Sequence, residues 1–211
     1  MRADFDVEIV AGDCAGRLTD SVRWLADRYA GVPTVYVPGN HDYYRTGGPD
    51  GFHVEGEVAA AHDLAAGTDV RLLTDGTTTI GDVRLVGGTL WSDLRATIRA
   101  CGTAGEGRKR ARRGMNDHRR IHRASSTKGS RRIAPEDTLR WHRGTVRFLE
   151  GAFAAPHDGP IVVVTHHAPT HRGYPDPYDD LPGTVATTSR RTSSSTPREP
   201  SLCATRRTAL T

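Results

Sequence analysis

An α/β fold is predicted by three stretches of the 211-residue sequence in which an apolar run of strand character stops at polar, chemically capable residues. Val7, Ile9 and Val10 lead into Gly12-Asp13, and Val35-Tyr36-Val37 leads into Pro38-Gly39-Asn40-His41-Asp42. Ile161-Val162-Val163-Val164-Thr165 runs into His166-His167-Ala168-Pro169. Open α/β sheets keep their sites in the loops at the carboxyl ends of strands, so all three endings fall where chemistry belongs.

The elements follow in order. Asp6 to Ala11 is the first strand. Leu18, Val22, Leu25, Ala26 and Tyr29 recur at helical spacing, and Gly31-Val32-Pro33 closes that helix before the strand Thr34 to Val37. The resulting β-α-β unit has parallel strands, which bring Asp13 and Asn40 to one edge of the sheet. Glu55 to Ala66 reads as a second helix, Val70 to Leu73 as a short strand, and Thr77–Ile80 with Val83–Val86 as a hairpin around Gly81-Asp82. Gly87 to Asp93 leaves the sheet through two glycines; Trp91 within it either walls a pocket or packs in the core.

Between Arg99 and Arg132 periodicity fades and Gly, Ser and Arg dominate, so this stretch is expected to be an irregular basic surface insertion. Its charge would steer phosphate-bearing ligands or form an ordinary solvated face. Pro135, with Glu136 and Asp137 beside it, opens a helix whose inner face is expected to carry Leu139, His142, Val146, Leu149 and Phe153. Ile161 to Thr165 is then a buried parallel strand.

Composition narrows the class. Apolar residues make up 36% and charged ones 26%, so one globular, soluble domain is expected, with part of the chain in loops or disordered. The start of the sequence carries no signal-peptide core and no run reaches the roughly 18 residues of a membrane span, so the expected address is the cytoplasm. Cys14, Cys101 and Cys203 are odd in number and widely spaced, which points to free thiols. Oligomeric state leaves no trace in the sequence.

At the strand ends the chemistry is that of metals and phosphates. Asn offers a neutral carbonyl oxygen to a hard or borderline cation, His a ring nitrogen that ligates or shuttles a proton, and Asp a bridging anion or a partner that fixes a tautomer. One Asn-His-Asp alone reads as a polar turn. Three such endings on one sheet edge favour a site.

With these segments in hand, the sequence resembles the calcineurin-like metallophosphoesterases. Gly12-Asp13, Gly39-Asn40-His41-Asp42 and Thr165-His166-His167-Ala168-Pro169 match three of that family's motifs in order, over about Asp6 to Tyr174. The resemblance implies a metallophosphoesterase-like β-sandwich flanked by helices, with two divalent metal ions (manganese, iron, zinc or similar) at the strand ends. In that scheme Asp13 bridges the metals, Asn40 and His166 ligate the second, His41 assists the phosphate as acid or electrostatic partner, and Asp42 orients His41. His167 faces the substrate or packs. Two cations about 3.5 to 4 Å apart would activate a water and clamp the oxygens of a phosphoester, giving hydrolysis of a phosphomonoester or phosphodiester.

The family's Asp-x-His and Gly-His-x-His strings do not occur in the sequence. The expectation is therefore a domain over residues 1–174 that is incomplete at both ends, with impaired activity. From Thr184 onward Ser, Thr and Arg crowd out apolar residues, so 175–211 is expected to be a disordered tail, the product of a shifted frame or an unrelated extension. The competing class is a non-catalytic phosphate or nucleic-acid binder using the basic stretch. Aromatic residues are scarce there, so stacking on single strands is not favoured.

Overall fold

The computed structural model describes residues 5–45 and 51–170. The expected tail at 175–211 lies outside the described residues. Among the described residues eight strands and six helices are arranged as a mixed α/β fold. The first sheet has the order β1 (Glu8–Ala11), β2 (Thr34–Val37), β3 (Val70–Leu72), all parallel, with Ile9 opposite Val35 and Tyr36 opposite Leu72. The second has the order β4 (Gly76–Ile80), β5 (Val83–Gly88), β8 (Ile161–Thr165). In it β4 and β5 form the predicted antiparallel hairpin, and β8 runs parallel to β5 with Gly88 opposite Thr165.

The period of two along the strands divides the core. Val35 and Val37 of β2 face Val83, Leu85 and Val164 of the second sheet in one apolar cluster. Tyr36, between them, points the other way into a cluster with Leu18, Val22 and Leu25 of α1 (Leu18–Arg28) and Ala61 and Ala65 of α2 (Val54–Ala65). One valine-rich strand therefore serves two interfaces, and its four residues are all buried.

Three expectations change. The stretch from Arg99 to Arg132 is not irregular: it holds the end of α3 (Arg95–Cys101), α4 (Ala104–Gly114), α5 (Asp117–Arg120) and a hairpin of β6 (His122–Ser125) and β7 (Gly129–Arg132). Arg and Lys are good helix formers, Thr103 caps α4 by accepting the Glu106 N–H at 3.2 Å, and Ala111 and Ile121 are fully buried. In α6 (Pro135–Ala154) the buried face is Thr138, His142 and Thr145, while Phe153, expected inside, is 52% exposed. And β8, expected to be buried, is an edge strand among the described residues, with only Val164 fully covered.

No helix among the described residues is long and apolar enough to cross a membrane.

Candidate functional site

Glycine makes the site possible by letting two loops touch. Gly12 and Asp13 both have positive φ, 88° and 57°, turning the chain sharply at the end of β1. A Cβ on Gly12 would strike the His166 ring and the Gly39 backbone; one on Gly39 would strike the Asp13 carboxylate and, at 2.7 Å, His166 Cε1. Three strand ends are thus packed on bare backbone, and Asp13, Asn40 and His166 converge.

Hydrogen-bond direction fixes what the three side chains present to one another. His166 Nδ1 lies 2.8 Å from the Ala11 carbonyl, which only accepts, so Nδ1 carries a proton and Nε2 is the nitrogen left to offer a lone pair to a cation. Asn40 donates its amide nitrogen to Asp117 Oδ1 at 2.8 Å, which turns its Oδ1 to face His166 Nε2 at 3.1 Å. A flipped amide would set oxygen against carboxylate at Asp117, so the network assigns this orientation. Asp13 Oδ2 stands 3.5 Å from the same Nε2. A carboxylate oxygen, an amide oxygen and an imidazole nitrogen therefore face each other, and with Nε2 unprotonated all three are acceptors.

Three such atoms need a positive partner between them, which a proton on Nε2 or a bound cation would supply. Their separations resemble the edges of a coordination shell, since ligands about 2.1 Å from a cation lie roughly 3.0 to 3.4 Å from each other. Among the described residues no three His, Cys, Asp or Glu side chains form a metal cage, and the third donor here is the amide Asn40. The set fits one divalent cation with three protein donors, the remaining positions being left to water or substrate.

Around this trio His41 begins a 3₁₀ turn, His41–Tyr43. Its backbone N–H donates to Asp13 Oδ1 at 2.9 Å, its ring lies against Tyr44 at 4.4 Å between centroids, and its Nδ1 is 3.8 Å from Asp13 Oδ2. The ring is 55% exposed, beside the trio and open to an incoming ligand.

Asp42 does not orient His41, contrary to expectation. It is fully buried and accepts four hydrogen bonds from other groups: Ser21 Oγ at 2.7 Å, Tyr36 OH at 2.6 Å, Gly39 N at 2.7 Å and Asp13 N at 2.9 Å. Four donors fill the lone pairs of a carboxylate. Asp42 instead ties the β1 and β2 loops to each other and to α1. Burial, followed by the Asp42 charge, pushes the Tyr36 hydroxyl far above its ordinary pKa, which keeps it a donor.

His167 is held rather than loose. Its Nδ1 donates to the Thr89 carbonyl at 3.0 Å, and its ring packs 4.9 Å from His166 and 6.0 Å from Trp91. Burial, with His166 beside it, pushes its pKa down, so the ring is neutral near pH 7. Trp91 is 6% exposed and stacks on Trp141 at 4.8 Å, a core aromatic that also backs the site. Sequence reasoning gave Asp117 and Tyr44 no role in the site. Tyr44 OH donates to Asp117 Oδ1 at 2.7 Å, beside the amide of Asn40.

No family model matches the chain. No curated protein matches it either. Among solved structures it matches the crystal structure of a phosphopantetheinyl hydrolase from Mycobacterium tuberculosis, with a TM-score of 0.60 and 22% sequence identity. The fold is shared. The match covers 84% of this chain and 62% of that one, so this chain spans less than two thirds of the neighbour's length. Membership of the calcineurin-like metallophosphoesterases, expected from the three motifs, is corrected by these findings: no family model recognises the chain, and the structure it matches is that of a phosphopantetheinyl hydrolase. Motifs of two to five residues specify the chemistry of a loop, and the same loop chemistry recurs across protein families.

Proposed function

We propose that the chain is a phosphoester hydrolase that works with a divalent cation held by Asp13, Asn40 and His166. The observation that carries this reading is the convergence of the Asp13 carboxylate and the Asn40 amide oxygen on His166 Nε2, at 3.5 and 3.1 Å. The shared fold with a phosphopantetheinyl hydrolase supports a phosphoester as the substrate class.

A cation bound there would supply Lewis-acid charge to a phosphoryl oxygen and lower the pKa of a water. The chain's own residues do the rest. Asp13 and His166 are fixed by the turn at Gly12 and the Ala11 carbonyl, so the donor set is organised in advance. His41, exposed beside Asp13, places an imidazole where a leaving oxygen needs a proton or a developing charge needs a partner.

The test is metal binding and hydrolysis on purified protein with added manganese. Wild-type protein should bind manganese and hydrolyse a chromogenic phosphodiester, and Asp13→Asn should lose both together. Unchanged metal binding in Asp13→Asn removes the proposed centre. A second reading, a phosphate or nucleic-acid binder without turnover, is favoured by the exposed basic residues of α4, Lys109, Arg110, Arg112 and Arg113. It requires affinity that falls steeply with salt and does not depend on His41.

A further inference from the structure

Away from the strand ends, α4, α5, β7 and the first turns of α6 line a half-open cavity of about 750 Å³. Five arginines line it, Arg112, Arg119, Arg131, Arg132 and Arg140, against two carboxylates, Glu136 and Asp137. Both carboxylates already have partners. Asp137, 1% exposed, takes two nitrogens of Arg131 at 2.7 and 2.9 Å and one of Arg123 at 2.9 Å, while Glu136 lies 3.2 Å from Arg108, outside the lining. Arg112 and Arg132 form no ion pair among the described residues, and both are exposed. The cavity therefore has uncompensated positive charge.

His118 adds an independent sign. It lines the cavity, is 5% exposed, and neither ring nitrogen has a hydrogen-bond partner among the described residues. Burial, reinforced by Arg112, pushes its pKa down, so the ring is neutral and has one unused N–H and one unused lone pair. A buried polar pair left unsatisfied is costly, and such groups in native proteins mark a place for a water or a ligand.

Guanidinium forks and an imidazole N–H are suited to one chemistry. Arg pairs in bidentate fashion with phosphate, and a cavity of several hundred cubic ångströms has room for a phosphate carried on a small organic group. We propose that this cavity is a binding site for a phosphate oxyanion, gripped by Arg112 and Arg132 over His118, and distinct from the Asp13 centre. It lies next to that centre through α5, where Asp117 holds Asn40 and His118 lines the cavity.

The experiment is calorimetric titration of the full chain, treated with EDTA, with inorganic phosphate and in parallel with phenyl phosphate. One site per chain is expected, kept in Asp13→Asn and weakened roughly tenfold or more in the Arg112→Gln/Arg132→Gln double variant. His118→Phe, which keeps the buried volume, should also weaken it. The two arginines are exposed and unpaired, so the double variant should melt as wild type does; if it does not, the two single variants give the same reading. Tighter binding of phenyl phosphate identifies an organic phosphate as the ligand, and equal binding identifies the free anion; both support the site. Loss of binding in Asp13→Asn, or equal affinity in the arginine variants and wild type, overturns it. Because metal is absent throughout, failure here leaves the proposed hydrolysis untouched, and failure of the hydrolysis leaves this site standing.

Discussion

Asn40 and Asp117 lie 77 positions apart, yet the Asn40 amide donates to Asp117 Oδ1 at 2.8 Å. That single bond decides which end of the amide looks at His166. With Asp117→Ala, Asn40 is free to turn its nitrogen towards the His166 lone pair, which exchanges an acceptor for a donor and closes the place of a cation. Metal affinity should fall about 10- to 100-fold, the usual cost of losing a group that orients a ligand. Asp117→Asn keeps an acceptor oxygen and should lose less. Equal affinity in Asp117→Ala and wild type, measured by manganese titration, would show that the amide is held by something else.

His41 is separable from the metal donors because its ring is exposed and only its backbone N–H is used to hold Asp13. His41→Ala preserves that N–H. Turnover of a phosphodiester should fall by roughly 10² to 10⁴ while bound manganese stays near the wild-type level. Parallel loss of metal and turnover would make His41 a ligand.

The strand ends were legible in the sequence because an apolar strand that stops at Gly-Asp, Asn-His-Asp or His-His leaves few alternatives for where those side chains lie. The roles of Asp42 and Asp117 were not legible. Asp42 follows His41 in sequence, so a pairing between them was the natural reading, but the 3₁₀ turn sends the carboxylate inward to Tyr36 and Ser21. Asp117 sits in a stretch whose arginines and glycines resemble a loop. There Gly107 is no breaker: a Cβ at that position would come within 2.6 Å of Ile98 Cγ1, so the residue lets α3 and α4 close on each other. Local composition cannot report a contact between two helices, and tertiary packing overrode the weak propensity of glycine. Phe153 failed for the opposite reason, since its apolar spacing was right but α6 turns Thr138, His142 and Thr145 inward.

Asp42→Ala tests whether that carboxylate is a tie between loops. It strands two buried hydroxyls and the N–H groups of Gly39 and Asp13, so the fold should lose on the order of 3 to 5 kcal/mol, read as a lower urea midpoint. Metal binding should be lost with the fold. A well-folded Asp42→Ala protein that binds metal normally and loses only turnover would restore the discarded pairing with His41.

Asp137 makes acid stability predictable. Burial alone would raise its pKa, but hydrogen bonds from Arg131, the Ala134 N–H and Arg123 outweigh burial and hold it well below the usual carboxylate range. In the unfolded chain the same group titrates near pH 3.9. A group depressed on folding contributes stability above its unfolded pKa, and loses that contribution as pH falls from there towards the folded value. The guanidinium groups stay charged throughout, so the loss belongs to the carboxylate alone. Wild type should therefore be clearly more stable than Asp137→Asn at pH 7, and the gap should begin to close below about pH 4 and narrow steadily towards pH 2. Thermal melts of the two proteins across that range measure it. A gap that stays constant from pH 7 to pH 2 would mean that Asp137 contributes through packing of the α6 start, and that its charge is not what joins α6 to β7.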